Sequence, residues 1–364
     1  MAANEMAGNR TRAMVEKSRD SVGRFIHLYN PRTWKEKGLI WTAGLLLATY
    51  VVVVLVLGVL WSFEPDTFDV RTNAMTLAQD NTDKLVTGWT TTATAIGIAD
   101  TLLNKPGGYL RNDIFPPGLY LDNIPEWEFG ALNQLRDTAR IMRNDFSRSQ
   151  TQSAEDRNLA DAQTFFNNDA NKWWLPSAEG RYQEGMAQLE IYMERLADAN
   201  DQDGQFFARA DNLAAFLQES STRLGGYTQR LAASVGQAQV NVALAGDPAA
   251  EQSTPAANER EVHTPWLEID NVFFESRGYA WALLQMLRAI EIDFQSVLRD
   301  KNAMPSIRQI IRELEGAQGT LSTRFIVLNG QGFGLFPNHS LVLASYLSRA
   351  NAAMLDLRRL LQQG

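Results

Sequence analysis

The sequence contains no cysteine and only three histidines, so much of the side-chain chemistry used at protein sites is missing from it. Without thiols the chain forms no disulfide and offers no thiolate nucleophile or cysteine zinc ligand. The three histidines, His27, His263 and His339, are far apart in sequence and do not have zinc-ligand spacing. Neither a Gly-x-Ser-x-Gly elbow nor a Walker loop is present. We therefore expect no cofactor, no bound metal and no catalytic residue set of a known type.

Two stretches that look like ligand motifs are better explained without a ligand. Residues 330–334 read Gly-Gln-Gly-Phe-Gly but lack the strand–turn–helix context of a dinucleotide site, so they indicate a tight turn. The acidic stretch 198–211 would place Gly204 at the sixth position of a calcium loop. The first and twelfth positions would then be Ala199 and Ala210, so the bidentate acid is missing and we expect a polar turn.

Basic residues are scarce outside the N-terminus. Residues 1–37 carry eight basic and four acidic side chains, whereas the 302 residues after position 62 carry 26 basic and 38 acidic ones. This later part therefore has a net charge of −12. A nucleic-acid-binding surface requires a basic footprint, so we expect no nucleic acid among the partners.

Residues 38–62 form one uncharged run of 25 residues. As a helix this run would be roughly 37 Å long, enough to cross a hydrocarbon core of about 30 Å. Trp41 and Trp61 lie near its ends, where amphipathic rings prefer the membrane interface. A buried core helix is the alternative, and the length of the run disfavours it. We expect the lipid bilayer to be one partner.

The flanks of this run predict its orientation. The excess of Lys and Arg before it predicts that the N-terminus is cytoplasmic and that the later residues lie outside the cytoplasm. A cleaved signal peptide has a shorter apolar region, about 7–15 residues, and small residues at its cleavage site. Because Trp61 and Phe63 occupy that place here, we predict an uncleaved signal anchor.

Helical periodicity dominates the rest of the chain and predicts an all-α fold. We expect one transmembrane helix followed by a large external helical bundle with one or two lobes. Residues 10–29 form either a basic amphipathic helix or a disordered tail. The predicted parts are a cytoplasmic basic tail at 1–37, a transmembrane anchor at 38–62, a helical lobe at 63–234, a flexible insertion or linker at 235–264 and a C-terminal helical lobe at 265–364.

The helices are predicted from apolar residues spaced three and four apart. One such stripe runs from Leu132 to Phe146 and another from Leu343 to Leu361. The most apolar helix outside the anchor covers about 267–300, and we expect it at the centre of the core. Phe325–Leu328 is the only short strand candidate.

Two loops combine glycine with aromatic residues, at 104–118 and 329–338. The aromatic residues of these loops either bind a partner or are buried in the core: Tyr109, Phe115, Phe333 and Phe336. Trp173 and Trp174 likewise could stack on a ligand or belong to the core. The two loops resemble each other, which indicates either an internal duplication or a shared need for glycine beside an aromatic residue.

Charged residues accompany the apolar stripe of the predicted central helix. Because buried charges require partners, we predict a structural ion network formed by Glu275, Arg277, Arg288 and Glu291. A carboxylate pair for glycoside chemistry is the alternative.

Four runs of the sequence resemble a bacterial membrane-protein family that is catalogued only as a domain of unknown function. These runs are Leu132–Arg140, Arg143–Gln150, Trp174–Ser177 and Glu275–Leu284. The resemblance covers most of the chain from the apolar run onward and implies a Gram-negative inner-membrane protein, in which the external helical bundle would be periplasmic. It carries no activity and no catalytic residues over to this chain.

These patterns together predict a non-enzymatic scaffold or interaction protein of the cell envelope, with an envelope protein as its partner. The alternative is an envelope hydrolase or a lipid- or glycan-binding protein whose cleft gathers Glu275, Glu291, Trp173 and Trp174. Small residues at Gly44-x-x-x-Ala48 and Gly58-x-x-x-Ser62 would also allow a homo-oligomer through helix pairing in the membrane.

Overall fold

A computed structural model of the chain describes residues 28–149, 154–198, 203–240, 259–321, 326–330 and 335–363. Its contacts divide the chain into two compact units, Met1–Leu57 and Gly58–Gly364. The predicted amphipathic helix at 10–29 lies outside the described residues except for its last two positions.

The first unit contains the short helix α1, Pro31–Lys37, and most of helix α2, Leu39–Trp61. Asn30 caps α1 by accepting a hydrogen bond from the amide of Arg32, and Pro31 occupies the first helical turn. α2 has a mean hydropathy of 2.7 and no buried residue within the protein. At about 1.5 Å per residue it is roughly 34 Å long, so it is long and apolar enough to cross a membrane.

The second unit is built from packed helices, and the all-α fold is confirmed. The buried stripe from Leu132 to Phe146 and the stripe from Leu343 to Leu361 are those that the periodicity predicts. The helices are α3 Val70–Leu77, α4 Trp89–Asn104, α5 Asn123–Ile141, α6 Arg157–Phe166, α7 Ala178–Ala197, α8 Ala210–Ala232, α9 Ile269–Asp293, α10 Gln295–Asp300, α11 Met304–Ala317 and α12 His339–Gln362. A π-helical turn, Met142–Phe146, extends α5.

Helix α9 is the central helix of the second unit, as its apolar sequence predicts. Residues 272–287 are all buried, which means that every side of the helix is covered. Its neighbours include α4, α5, α8, α11 and α12. Segments on both sides of the predicted linker at 235–264 therefore share one core, within the single unit Gly58–Gly364.

Helices α5 and α9 approach until their backbones touch. A methyl group at Gly130 would collide with the carbonyl oxygen of Glu275, and one at Gly278 would collide with the carbonyl oxygen of Trp127. Only glycine, which lacks a Cβ, allows this distance between two helices. Next to the contact, the rings of Trp127 and Trp281 pack with their centroids 5.0 Å apart.

The strand content differs from the sequence-based expectation. Gln237–Val240 (β1) pairs with Glu259–Val262 (β2) as an antiparallel ribbon, inside the stretch predicted to be flexible. β1 alternates polar and apolar residues over only four positions and β2 does not alternate, so the signal was too short to identify the ribbon. The strand candidate Phe325–Leu328 is not a strand over its described part, residues 326–328. Residues 241–258, including most of the predicted flexible part, lie outside the described residues.

The contact between α5 and α9 generates a stability prediction. We expect Gly278→Ala to destabilise the protein by about 3 kcal/mol, the upper range for overpacking, because the obstacle is backbone that cannot rotate away. Thermal and chemical denaturation of the full chain in detergent, followed by far-UV circular dichroism, measures this loss.

Gly226→Ala is the matched control within α8, since no atom lies within 4 Å of the added methyl group. This change should leave the stability unchanged or raise it by up to about 1 kcal/mol, because alanine favours the helix. Equal losses for the two variants would contradict the proposed role of the helix contact.

Candidate interaction surfaces

The four charged residues predicted as one ion network have four separate partners. Glu275 and Arg277 are two residues apart on α9, so they leave the helix in different directions. The pairs are Arg230–Glu275 at 2.7 Å, Arg277–Glu64 at 2.5 Å, Arg288–Glu315 at 2.8 Å and Arg308–Glu291 at 2.7 Å. Each charge is therefore paired, but the four do not form a network among themselves.

Glu275 and Glu291 on α9 also do not share a cleft with Trp173 and Trp174. Glu275 is buried, pairs with Arg230 and accepts a hydrogen bond of 3.2 Å from the hydroxyl of Tyr227. Trp173 and Trp174 lie in the loop between α6 and α7 and pack against each other with centroids 5.2 Å apart. The cavities described below are lined by neither group.

Asp137 on α5 is a second buried carboxylate, which was not predicted as a site residue from the sequence. It accepts hydrogen bonds from Arg223 on α8 at 2.8 and 3.1 Å and from Arg140 at 2.9 Å. The hydroxyl of Tyr279 on α9 donates to it at 3.4 Å. Asp137 thus joins three helices, and its acceptor atoms are used within the core.

The segment directly after α2 is fixed to the central helix by Arg277. The guanidinium donates to both carboxylate oxygens of Glu64, from Nε at 2.8 Å and from Nη2 at 2.5 Å. Its Nη1 donates to the carbonyl oxygens of Ala317 and Gly319. A cavity of about 400 Å³ beside this pair is lined by residues 62–67, Arg277 and Trp281. Such a bidentate, largely buried pair holds the chain in one geometry.

The last turn of α2 belongs to the second unit and packs against the loop that follows α4. Pro117 lies 3.7 Å from the position that a Cβ at Gly58 would occupy. The ring of Trp61 covers Gly107, whose φ of +91° favours glycine. The glycine-rich loop predicted at 104–118 is therefore ordered where it meets α2.

Glu128, fully buried on α5, organises this loop. Its carboxylate accepts hydrogen bonds from the amides of Leu110, at 2.9 and 3.1 Å, and Arg111, at 2.9 Å, and it pairs with Lys105. Burial raises the pKa of the Glu128 carboxyl, while Lys105 and these amides act in the opposite direction. The carboxylate replaces the partners that the loop backbone would otherwise find in water.

A further set of hydrogen bonds joins this loop to the loop of Trp173. The hydroxyl of Tyr109 donates to the carbonyl oxygen of Ala170 at 3.1 Å. The side-chain amide of Asn112 donates to the carbonyl oxygen of Lys172 at 3.0 Å and to the carboxylate of Glu179 at 2.8 Å. The two loops therefore lie side by side.

These two loops carry large apolar side chains that face solvent. Phe115 is 74% exposed and Trp174 is 64% exposed, whereas Tyr109 is 3% exposed. We call the exposed group the aromatic patch: Phe115, Leu119, Tyr120, Trp173, Trp174 and Leu175. The sequence singled out Phe115, Trp173 and Trp174 but missed Leu119, Tyr120 and Leu175. No charged residue occurs within 114–121 or 173–176, and this feature of the sequence could have identified the three missed residues.

A second apolar surface surrounds Trp266, just before α9. Trp266 is 81% exposed and Leu267 is 76% exposed. They border a cavity of about 690 Å³, the Trp266 cleft, whose wall also contains Val235, Ile269, Ile326 and Val327. Asp122 and Asp270 line the same cleft. Burial, followed by the charge of Asp122, raises the pKa of Asp270.

The second predicted aromatic loop is only partly described. Phe336 is 64% exposed and Phe333 lies outside the described residues. Leu328 and His339 close the loop, because the amide of His339 donates to the Leu328 carbonyl and its Nδ1 accepts from the Leu328 amide. Tyr109 is therefore a core residue, whereas the prediction that Phe115 and Phe336 are buried in the core is wrong. Their glycine-rich loops have no regular spacing of apolar residues that would indicate which side is buried.

Comparison with known proteins gives one match. A family model described as "Uncharacterized protein conserved in bacteria (DUF2333)" matches residues 34–364. Neither the curated proteins nor the solved structures contain a match to the chain.

The Arg277–Glu64 pair generates a prediction about the junction after α2. Glu64→Gln should destabilise the second unit by about 3–5 kcal/mol, because it leaves a buried guanidinium without a counter-charge. Limited proteolysis should also cleave residues 62–69 faster. Denaturation and proteolysis of the full chain in detergent measure both effects.

Glu291→Gln is the control, since it removes a carboxylate whose partner Arg308 is more than half exposed. Exposed pairs contribute up to about 1 kcal/mol, so the control should stay near the parent. A Glu64→Gln protein as stable as this control would show that the pair does not hold the junction.

Proposed function

The chain belongs to this family of bacterial proteins, and on that premise we propose that it is a single-pass scaffold or interaction protein of the Gram-negative inner membrane. In this proposal α2 is the membrane anchor, the N-terminus is cytoplasmic and the helical bundle is periplasmic. The bundle binds another envelope protein and has no enzymatic activity of its own. Homo-oligomerisation through Gly44-x-x-x-Ala48 remains a prediction.

The charge distribution supports this orientation. Eight basic residues precede α2, while Glu64, Asp66 and Asp69 follow it directly. Segments rich in Lys and Arg stay on the cytoplasmic side of a membrane. The net charge of −12 after position 62 is compatible with an external domain.

The Trp266 cleft is the observation that carries the interaction role. Monomeric proteins rarely expose large apolar side chains next to one another unless the surface is used. Tryptophan is enriched among residues that dominate protein interfaces. Asp122 and Asp270 lie in the same cleft, so a cation would relieve their mutual repulsion. We therefore propose a protein partner that inserts an apolar side chain beside a Lys or Arg.

The buried ionisable groups support a structural rather than a catalytic use. Glu128 holds backbone amides, Asp137 joins three helices, and Arg277 holds the segment after α2. A hydrolase would need some of these groups to face a substrate. Their hydrogen bonds within the core favour the scaffold over the hydrolase alternative.

The topology is tested by reporter fusions. An enzyme that is active only outside the cytoplasm should be active when fused after Gly364 and inactive when fused within residues 1–30. The opposite pattern would contradict the orientation, which depends on the basic residues before α2. A cytoplasm-dependent reporter at the same two positions is the matched control.

The interaction role is tested by photocrosslinking in intact cells. A photoreactive amino acid at Leu267, on the rim of the Trp266 cleft, should capture a defined envelope protein that mass spectrometry identifies. The same amino acid at Leu360, an exposed apolar residue of α12, is the control position.

The partner chemistry is tested by reversing the charge of the cleft. Asp270→Lys should abolish the crosslink at Leu267, because a cationic partner would then be repelled. Identical products at Leu267 and Leu360, or a crosslink insensitive to Asp270→Lys, would contradict the proposed binding mode.

A further inference from the structure

The aromatic patch lies where the chain leaves α2. Its Phe115 loop contacts the last turn of α2, with Pro117 against Gly58 and Trp61 over Gly107. Its Trp173 loop is joined to the first through Asn112 and Tyr109. The patch is therefore continuous with the end of an apolar helix that is long enough to span a membrane.

The chemistry of the patch is that of a membrane interface. It combines phenylalanine, tyrosine, two tryptophans and two leucines, and no charged residue occurs within 114–121 or 173–176. Tyrosine and tryptophan are enriched where the hydrocarbon core meets the headgroups, because their rings are apolar and their polar tips remain hydrated.

The two loops are held with these side chains outward. Glu128 holds the backbone of Leu110 and Arg111, and Lys105 contacts both Glu128 and the carbonyl of Gly108. Tyr109 is buried between them and packs edge-on against Tyr182. Because these buried contacts hold the backbone of the loop in place, Phe115 and Tyr120 are held on its solvent-exposed side.

We propose that the aromatic patch inserts into the headgroup region of the leaflet from which α2 emerges, so that the bundle lies directly on the bilayer. The occupant of this surface is lipid, and the proposal rests on the role of α2 as a membrane anchor. In this proposal Trp61, the last residue of α2, marks the interface, and the Phe115 loop packs against the same turn of the helix.

The absence of cysteine allows a direct test with single-cysteine variants of the full chain. Phe115→Cys and Trp174→Cys are labelled with an environment-sensitive fluorophore and reconstituted into vesicles of phosphatidylethanolamine and phosphatidylglycerol. Lipids that carry a nitroxide near the headgroup end of the acyl chain then serve as quenchers. We expect both labels to shift to shorter emission wavelengths in vesicles and to lose most of their emission to the quencher.

Two further labels separate the possible outcomes. Leu360→Cys, on an exposed apolar residue near the end of α12, should show neither the shift nor the quenching. Val52→Cys, within α2, should be quenched by lipids with a nitroxide deeper in the chain. A thermal melt that matches the parent protein confirms that a labelled variant is folded. Leu119→Cys replaces either patch variant if that variant does not fold.

The results distinguish this proposal from the anchor on which it rests. Quenching at Val52 without quenching at Phe115 and Trp174 overturns the patch and leaves the anchor intact. Equal quenching at Leu360 overturns the specificity of the patch. An unquenched Val52 label overturns both ideas. A photoreactive residue at Phe115 that captures a protein in cells, while the label there is not quenched by lipid, assigns the patch to a protein partner.

Discussion

The structure depends on two helices that touch through their backbones. Gly130 on α5 and Gly278 on α9 leave no room for a side chain at the crossing. The contact fixes both the distance between the helices and the rotation of α9 about its axis. That rotation directs Glu275 toward Tyr227 and Arg230, directs Arg277 toward Glu64, and places Trp281 against Trp127. A small displacement at the crossing would therefore disturb two ion pairs of α9 and the central aromatic contact together.

The helices, including the long apolar α2, could be predicted because each has a local signal in the sequence. Apolar residues three and four apart identify the buried faces of α5 and α12, and the uncharged run identifies α2. Glu128 was within reach of the same reasoning. It lies four residues before Leu132 on the buried stripe of α5, so a carboxylate at a core position signalled that something must satisfy it.

The remaining features could not be predicted because they depend on contacts between distant parts of the chain. Arg277 pairs with Glu64, which is more than two hundred residues earlier, and no pattern in either segment identifies the other. Phe115 and Tyr109 belong to the same loop and have similar side chains, yet one is exposed and the other buried. Their difference follows from the loop's attachment to α5 and to the Trp173 loop, which only the tertiary structure defines.

In the proposed arrangement, the contact between the Phe115 loop and the last turn of α2 has a consequence for how tightly the patch must bind lipid. If α2 spans the membrane, a surface joined to it meets the bilayer at a high effective concentration, because α2 already holds that surface beside the bilayer. Weak contacts from a few rings are then sufficient to keep the surface engaged. Since they add little affinity of their own, a bundle separated from α2 would show almost no attraction to vesicles. Under this proposal, membrane contact by these loops would be a property of the intact chain and not of the bundle alone.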